Sequence, residues 1–321
     1  MRYVFLFALF ATASFAQSLH EVVVGWPQLP EGQVLGLCAG VGVDAQNRVF
    51  VFHRSGRVWT KPFPKEAIAA PTVSVFDGAT GRLLSTWGAN RFIMPHGLTV
   101  DQAGNLWLTD VGLHQVFKCS PAGEVLLTLG EAGVPGDDAA HFNLPTDVAV
   151  LPDGSFYVSD GYQNTRVLKF TAAGRFEFQW GTKGKGPGQF HLPHGVTVDA
   201  QGRIIVCDRE NERLQVFDAK GVFQQEWKGS QIGKPYGIAT SPDGHLFVID
   251  GGSPSLKQEL RGKAVELDPT GRILDTFGGY GKAPGQFQLG HDIAVGPDGA
   301  VYVAEGTGAR VQKFVRRKAA E

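Results

Sequence analysis

The sequence predicts an all-β fold, a six-bladed β-propeller, from three observations: a motif that recurs six times, four strand-like runs in most copies, and an abundance of turn residues. Glycine (43) and proline (18) together make up about a fifth of the 321 residues and follow no triplet period, which implies many tight turns and hence many short strands. In chain order the copies are LCAGVGVDAQNRVFVFH (37–53, the most divergent), MPHGLTVDQAGNLWLTD (94–110), LPTDVAVLPDGSFYVSD (144–160), LPHGVTVDAQGRIIVCD (192–208), KPYGIATSPDGHLFVID (234–250) and LGHDIAVGPDGAVYVAE (289–305).

Within each copy, two apolar or alternating runs flank a D-x-x-G-like turn, the mark of a β-hairpin. A third run follows in most copies (VFKC, RVLKF, RLQVF, AVELD, RVQKF), then a turn such as PAG, AAG or AKG, and a fourth run ending near Trp-Gly or Phe-Gly. The last copy has no fourth strand after Phe314, whereas Leu19 to Val24 is a strand without a partner. The N-terminal strand is therefore expected to complete the last blade, since an open propeller would leave unpaired edges. Thr60 to Pro71 and Ser253 to Lys263 read as rim loops. With no linker or composition break, residues 17–321 are expected to form a single propeller domain.

Residues 1–16 read as a signal peptide. Arg2 is the basic start, Tyr3 to Ala13 is apolar, and Ser14 and Ala16 stand at the −3 and −1 positions of a cleavage site before Gln17. No stretch is long enough for a membrane span, so an exported protein, periplasmic or secreted, is expected. The net charge of −1 offers no footprint for nucleic acid or an anionic membrane, and a monomer is the expected state. Three cysteines (Cys38, Cys119, Cys207), with no Cys-x-x-Cys pair, argue against a disulfide framework or a thiolate zinc site.

Equivalent positions in the copies form tiers around the propeller axis. The tier that opens the innermost strand is Ala39, His96, Thr146, His194, Tyr236 and His291, so histidine falls in copies two, four and six alone. Alternate blades of six lie about 120° apart, and the three imidazoles converge on the channel as in a three-histidine metal site with an open position. The plain alternative is three satisfied or solvated channel histidines. Zinc is the default metal for such a set, although iron and copper also accept histidine.

The next tier is Gly40, Gly97, Asp147, Gly195, Gly237 and Asp292. Because adjacent strand residues alternate sides, Asp292 is expected to bind backbone amides or a second, harder cation such as calcium, and Asp147 reads as a structural acid. The third tier, at the end of the second strand, carries Asp110, Asp160, Asp208, Asp250 and Glu305, expected to anchor turns together with Asn211, Arg213, Arg166 and Arg310. Arg54 and Arg209 stand one place beyond this tier and Tyr162 two places beyond. All three break the small-residue habit of that mouth, which makes them candidates for function, although surface arginines are common.

HRSGRVW (53–59), MPHGL (94–98), LHQVFK (113–118), HFNLPTDVAV (141–150), SDGYQNTR (159–166), PGQFHLPHG (187–195), CDRENERLQVF (207–217) and GHDIAV (290–295) together resemble peptidyl-α-hydroxyglycine α-amidating lyase, the lyase half of the bifunctional peptide-amidating enzyme. The resemblance runs in order over nearly the whole mature chain. It implies an NHL-type propeller with a catalytic zinc on His96, His194 and His291 and a structural calcium on Asp292 and the backbone carbonyls of Val41 and Leu98. It makes Arg54, Tyr162 and Arg209 the active-site arginine, tyrosine and second arginine. Asn143, Gln163, Ile205 and Val216 stand where that family has disulfide cysteines, so packing must replace both bridges, and no copper monooxygenase half is attached in this sequence.

The implied reaction cleaves the C–N bond of an N-acyl- or peptidyl-α-hydroxyglycine to an amide and glyoxylate. Zinc would act as a Lewis acid and Tyr162 as the base, with the phenolate favoured by Arg54, Arg209 and the metal, while the planar fork of Arg54 would hold the substrate carboxylate. Two other readings stay open: a metal-dependent hydrolase of lactonase type, and a non-catalytic NHL-repeat binding protein.

Overall fold

The computed structural model describes residues 18–252 and 262–318, so the signal-peptide reading and most of the Ser253 to Lys263 loop lie outside the described residues. Every copy folds as a four-stranded antiparallel blade, its strands running outward in chain order. Blade 1 comprises Cys38–Val43, Arg48–His53, Val73–Asp77 and Leu83–Trp87; blade 2, Pro95–Val100, Leu106–Asp110, Gln115–Cys119 and Val125–Leu129; blade 3, Pro145–Val150, Phe156–Asp160, Arg166–Phe170 and Phe176–Trp180. Blade 4 comprises Pro193–Val198, Ile204–Asp208, Arg213–Phe217 and Phe223–Lys228, and blade 5 Pro235–Thr240, Leu246–Asp250, Lys263–Leu267 and Ile273–Gly278.

Blade 6 takes Gly290–Val295, Val301–Glu305 and Arg310–Arg316 from the C-terminal end and His20–Val22 from the N-terminal end. The closing pair is antiparallel, His20 opposite Arg316 and Val22 opposite Phe314, as the unmatched strand predicted. The edge that blade 6 would otherwise expose is thereby paired.

The D-x-x-G turns close because the aspartate carboxylate takes the amides beyond it. Asp101 Oδ1 accepts from the amides of Ala103 and Asn105, and Asp199 Oδ1 does the same for Gln201 and Arg203. This is the Asx-turn geometry that favours aspartate at a hairpin start.

Apolar faces meet between blades, so the core is six seams rather than one mass. Phe50, Phe52, Val73 and Phe92 pack against Leu98, Leu106 and Leu108 between blades 1 and 2, for example. Ile205 and Val216, at positions where the resembled family carries cysteines, are cross-strand partners buried in the seam between blades 4 and 5.

In all six blades the innermost strand slips register against its neighbour at the first tier. The slips lie between Cys38 and Gly40, Pro95 and Leu98, Pro145 and Asp147, Pro193 and Val196, Pro235 and Gly237, and Gly290 and Asp292. Bulges re-aim side chains, and in each blade the first-tier residue lies in the unpaired stretch. His291 and Asp292 both border one small channel space, and Asp292 alone of the two also lines the larger cavity farther along the channel.

Candidate functional site

His96, His194 and His291 are each nearly fully buried, and their ring centroids form a near-equilateral triangle with sides of 4.8, 4.7 and 5.0 Å. Each Nδ1 donates to a backbone carbonyl of the following blade: His96 to Thr146 (2.8 Å), His194 to Tyr236 (2.7 Å) and His291 to Ala39 (2.7 Å). Even-numbered blades thus supply imidazoles and odd-numbered blades supply the carbonyls that orient them. With the proton on Nδ1, each Nε2 presents a lone pair, and one donor atom from each histidine lies within 4.8 Å of the other two.

Burial drives all three imidazoles toward the neutral form. It lowers His96 and His194 well below the usual range, helped by the neighbouring imidazole and by Arg54 or Arg209, and it lowers His291, with Arg54 next in effect, to about 3. Three neutral nitrogen donors with converging lone pairs are the donor set that suits a borderline divalent metal such as zinc. The Tyr162 hydroxyl, 3.0 Å from His96 Nε2 and 3.4 Å from His194 Nε2, has one proton to offer to three lone pairs.

Two arginines act on Tyr162. Arg209 lies over the rings of Tyr236 (4.5 Å) and Tyr162 (5.4 Å), and its Nε donates to Glu210 (3.1 Å). Arg54 is buried, donates from Nε to the Pro95 carbonyl (3.0 Å) and stacks on Trp59 at 5.2 Å. Both guanidiniums are electrostatically coupled to Tyr162: burial pulls Arg54 down and the tyrosine opposes it, while at Arg209 the opposing charges of Tyr162 and Tyr236 outweigh burial. Arg54, Tyr162, Arg209 and the three histidines are thus brought to one mouth of the channel.

Along the channel, Val41, Leu98, Asp147 and Asp292 line one cavity of about 210 Å³. Asp292 Oδ2 accepts from the Val41 amide (2.9 Å) and Oδ1 from the Ile293 amide (2.9 Å), while Asp147 takes the amides of Val148 (2.8 Å) and Val196 (3.0 Å). Burial pushes the Asp147 carboxyl up to about 7, and burial together with the Asp147 charge pushes Asp292 up as well. Two acids held this way in one cavity present an electrostatic demand for a cation.

The third-tier acids anchor turns. Asp110 accepts from the amides of Ile93, Met94, Gly112 and Leu113, Asp208 from the His191 amide, Asn211 and Arg213, and Glu305 from the Gln288 amide and Arg310. Sequence reasoning missed an apolar wall beside Tyr162. Trp59 and Phe63 pack with Met94, Leu113 and Leu144, and Trp59 sits 5.1 Å from the Tyr162 ring. The aromatic pair Trp59 and Phe63, just before and within the first rim loop, was its one visible signal. Tyr236, the shelf under Arg209, was legible only as a large residue in a tier of histidines and small residues.

NHL repeats match residues 92–119, 142–170 and 190–217. The chain is 40% identical over 94% of its length to peptidyl-glycine alpha-amidating monooxygenase B of Xenopus laevis, of which it spans only 36%. It is 35% identical over 92% of its length to peptidyl-alpha-hydroxyglycine alpha-amidating lyase 2 of Drosophila melanogaster, covering 75% of that protein. Among solved structures, streptogramin B lyase superposes with a TM-score of 0.61 at 16% identity, covering 93% of this chain and 98% of that one, a likeness of fold.

Proposed function

The chain belongs to the peptidyl-α-hydroxyglycine α-amidating lyase family, and from that premise we propose that it cleaves the C–N bond of an N-acyl- or peptidyl-α-hydroxyglycine, releasing an amide and glyoxylate. The observation that carries the reading is the Tyr162 hydroxyl beside two of three converging imidazole nitrogens, with Arg209 over its ring and the buried Arg54 electrostatically coupled to it.

His96, His194 and His291 would hold zinc through Nε2, their Nδ1 protons already committed to carbonyls. Zinc, when bound, supplies the Lewis-acid charge that favours loss of the substrate hydroxyl proton. In its phenolate form Tyr162 Oη would take that proton and return it to the amide nitrogen as the C–N bond breaks and the hydroxyl carbon becomes the aldehyde carbon of glyoxylate, so the proton count closes and no water is consumed. Arg54 faces the substrate carboxylate with a planar fork pinned by the Pro95 carbonyl, and Arg209 keeps positive charge at the phenol.

Asp292 with the Val41 and Leu98 carbonyls would hold calcium, which supplies the charge that lets the buried acids stay ionised. Export belongs to the same reading, since cleavage after Ala16 leaves the closing strand His20–Val22 intact.

Tyr162→Phe keeps the ring and removes the proton carrier, and Arg54→Lys keeps the charge and removes the fork. Each should lower turnover of N-benzoyl-α-hydroxyglycine by about 10²-fold or more with zinc content unchanged. Two variants that match the parent would end this assignment of roles.

A further inference from the structure

At the seam where blade 6 closes on blade 5, well away from the channel tier, three further donors converge. His20 lies in the closing strand, Glu266 in the third strand of blade 5 and Asp275 in its fourth. One donor atom from each lies within 4.8 Å of the other two. His20 and Glu266 side chains are essentially inaccessible and Asp275 nearly so. His20 Nδ1 is 2.8 Å from Asp275 Oδ2 and 3.9 Å from Glu266 Oε2.

Glu266 Oε2 is the telling atom. The other carboxylate oxygen, Oε1, accepts from His245 Nδ1 (2.7 Å) and Arg316 Nη1 (3.1 Å), but Oε2 is buried with no hydrogen-bond donor. An unpartnered buried carboxylate oxygen is costly, on the order of 1–3 kcal/mol or more, and calls for an explanation. The residues Glu266 and His20 also border a cavity of about 440 Å³ whose other polar walls are Ser241, Asp243, Asp298 and Arg316.

We propose that His20, Glu266 and Asp275 form a second divalent-metal site, of zinc type, that clamps the N-terminal closing strand to blade 5. A tetrahedral metal with bonds of about 2.0–2.1 Å needs donors about 3.3 Å apart, which lies between the two distances from His20 Nδ1. One imidazole and two carboxylates suit zinc or another first-row divalent ion. Phe277, stacked on the imidazole at 4.5 Å, and Phe247, edge-on at 5.6 Å, hold the ring in place. Because the ligands come from three strands of two blades, the ion binds the folded ring and not the open chain, so it stabilises closure.

The test is zinc stoichiometry on the full mature chain, stripped with chelator and reloaded in calcium-containing buffer, for the parent and for Glu266→Gln. Glutamine keeps an acceptor for His245 and Arg316 and removes only the anionic oxygen. The variant should bind one zinc fewer per chain, keep its lyase turnover, and lose a zinc-dependent rise in melting temperature that the parent shows. A chain carrying His96→Ala and His194→Ala should still bind one zinc, lost on adding Glu266→Gln. Equal zinc content in parent and Glu266→Gln, with both folded by circular dichroism, would overturn the proposal whatever the channel holds. If the double-histidine chain does not fold, the parent comparison alone decides.

Discussion

His53 stands where five other copies carry an acid, and it behaves as a buried neutral group. Its Nε2 is 2.8 Å from Ser74 Oγ and its Nδ1 3.2 Å from Ser55 Oγ, and burial lowers its pKa from 6.5 to about 4. The unfolded chain therefore takes up the proton first as pH falls, so stability from this residue is complete above about pH 6.5 and is lost progressively toward pH 4, on the order of 3 kcal/mol in all. Chemical denaturation at pH 6.5 and pH 4 should show a smaller loss for His53→Gln than for the parent, and parallel losses would contradict the assignment. At this scale the sequence showed what a side chain does and hid what a backbone does. His96, His194 and His291 stood out because only alternate copies carry them. Ala39, Thr146 and Tyr236, whose carbonyls orient those rings, could not, because every residue has a carbonyl.

The innermost strands are the elements on which the site depends. Hairpins, turns and the closing strand were legible, since D-x-x-G turns and alternating runs are local signals. The register slip at the first tier was not, because a bulge leaves no mark in the alternation that flanks it. Neighbouring inner strands also come very close at the second tier. A Cβ on Gly237 would stand 2.7 Å from Asp292 Oδ1 and 2.8 Å from its Cα, so the second tier needs glycine where strands cross near a carboxylate. Gly237→Ala should destabilise by about 1–3 kcal/mol, read as a lower denaturant midpoint, and should weaken calcium binding. An unchanged midpoint would mean that the inner strands shift more freely than their packing implies.

The whole molecule is a ring of six apolar seams around a polar axis, with Arg54, Tyr162, Arg209 and the three histidines gathered at one mouth. Its three cysteines are buried and free, and burial raises their thiols, Cys119 to about 11, so they serve as packing groups rather than nucleophiles. Stability without disulfides then rests on seams such as that holding Ile205 and Val216, and on closure by His20–Val22. The number of blades was legible because the repeat is, whereas the apolar wall of Trp59, Phe63 and Met94 was not, since loops from different blades build it. Product identity decides the reaction. Mature protein loaded with zinc and given N-benzoyl-α-hydroxyglycine should form benzamide and glyoxylate in equal amounts, faster than the spontaneous reaction. Benzoate in place of benzamide, or glyoxylate appearing no faster than without protein, would contradict the account.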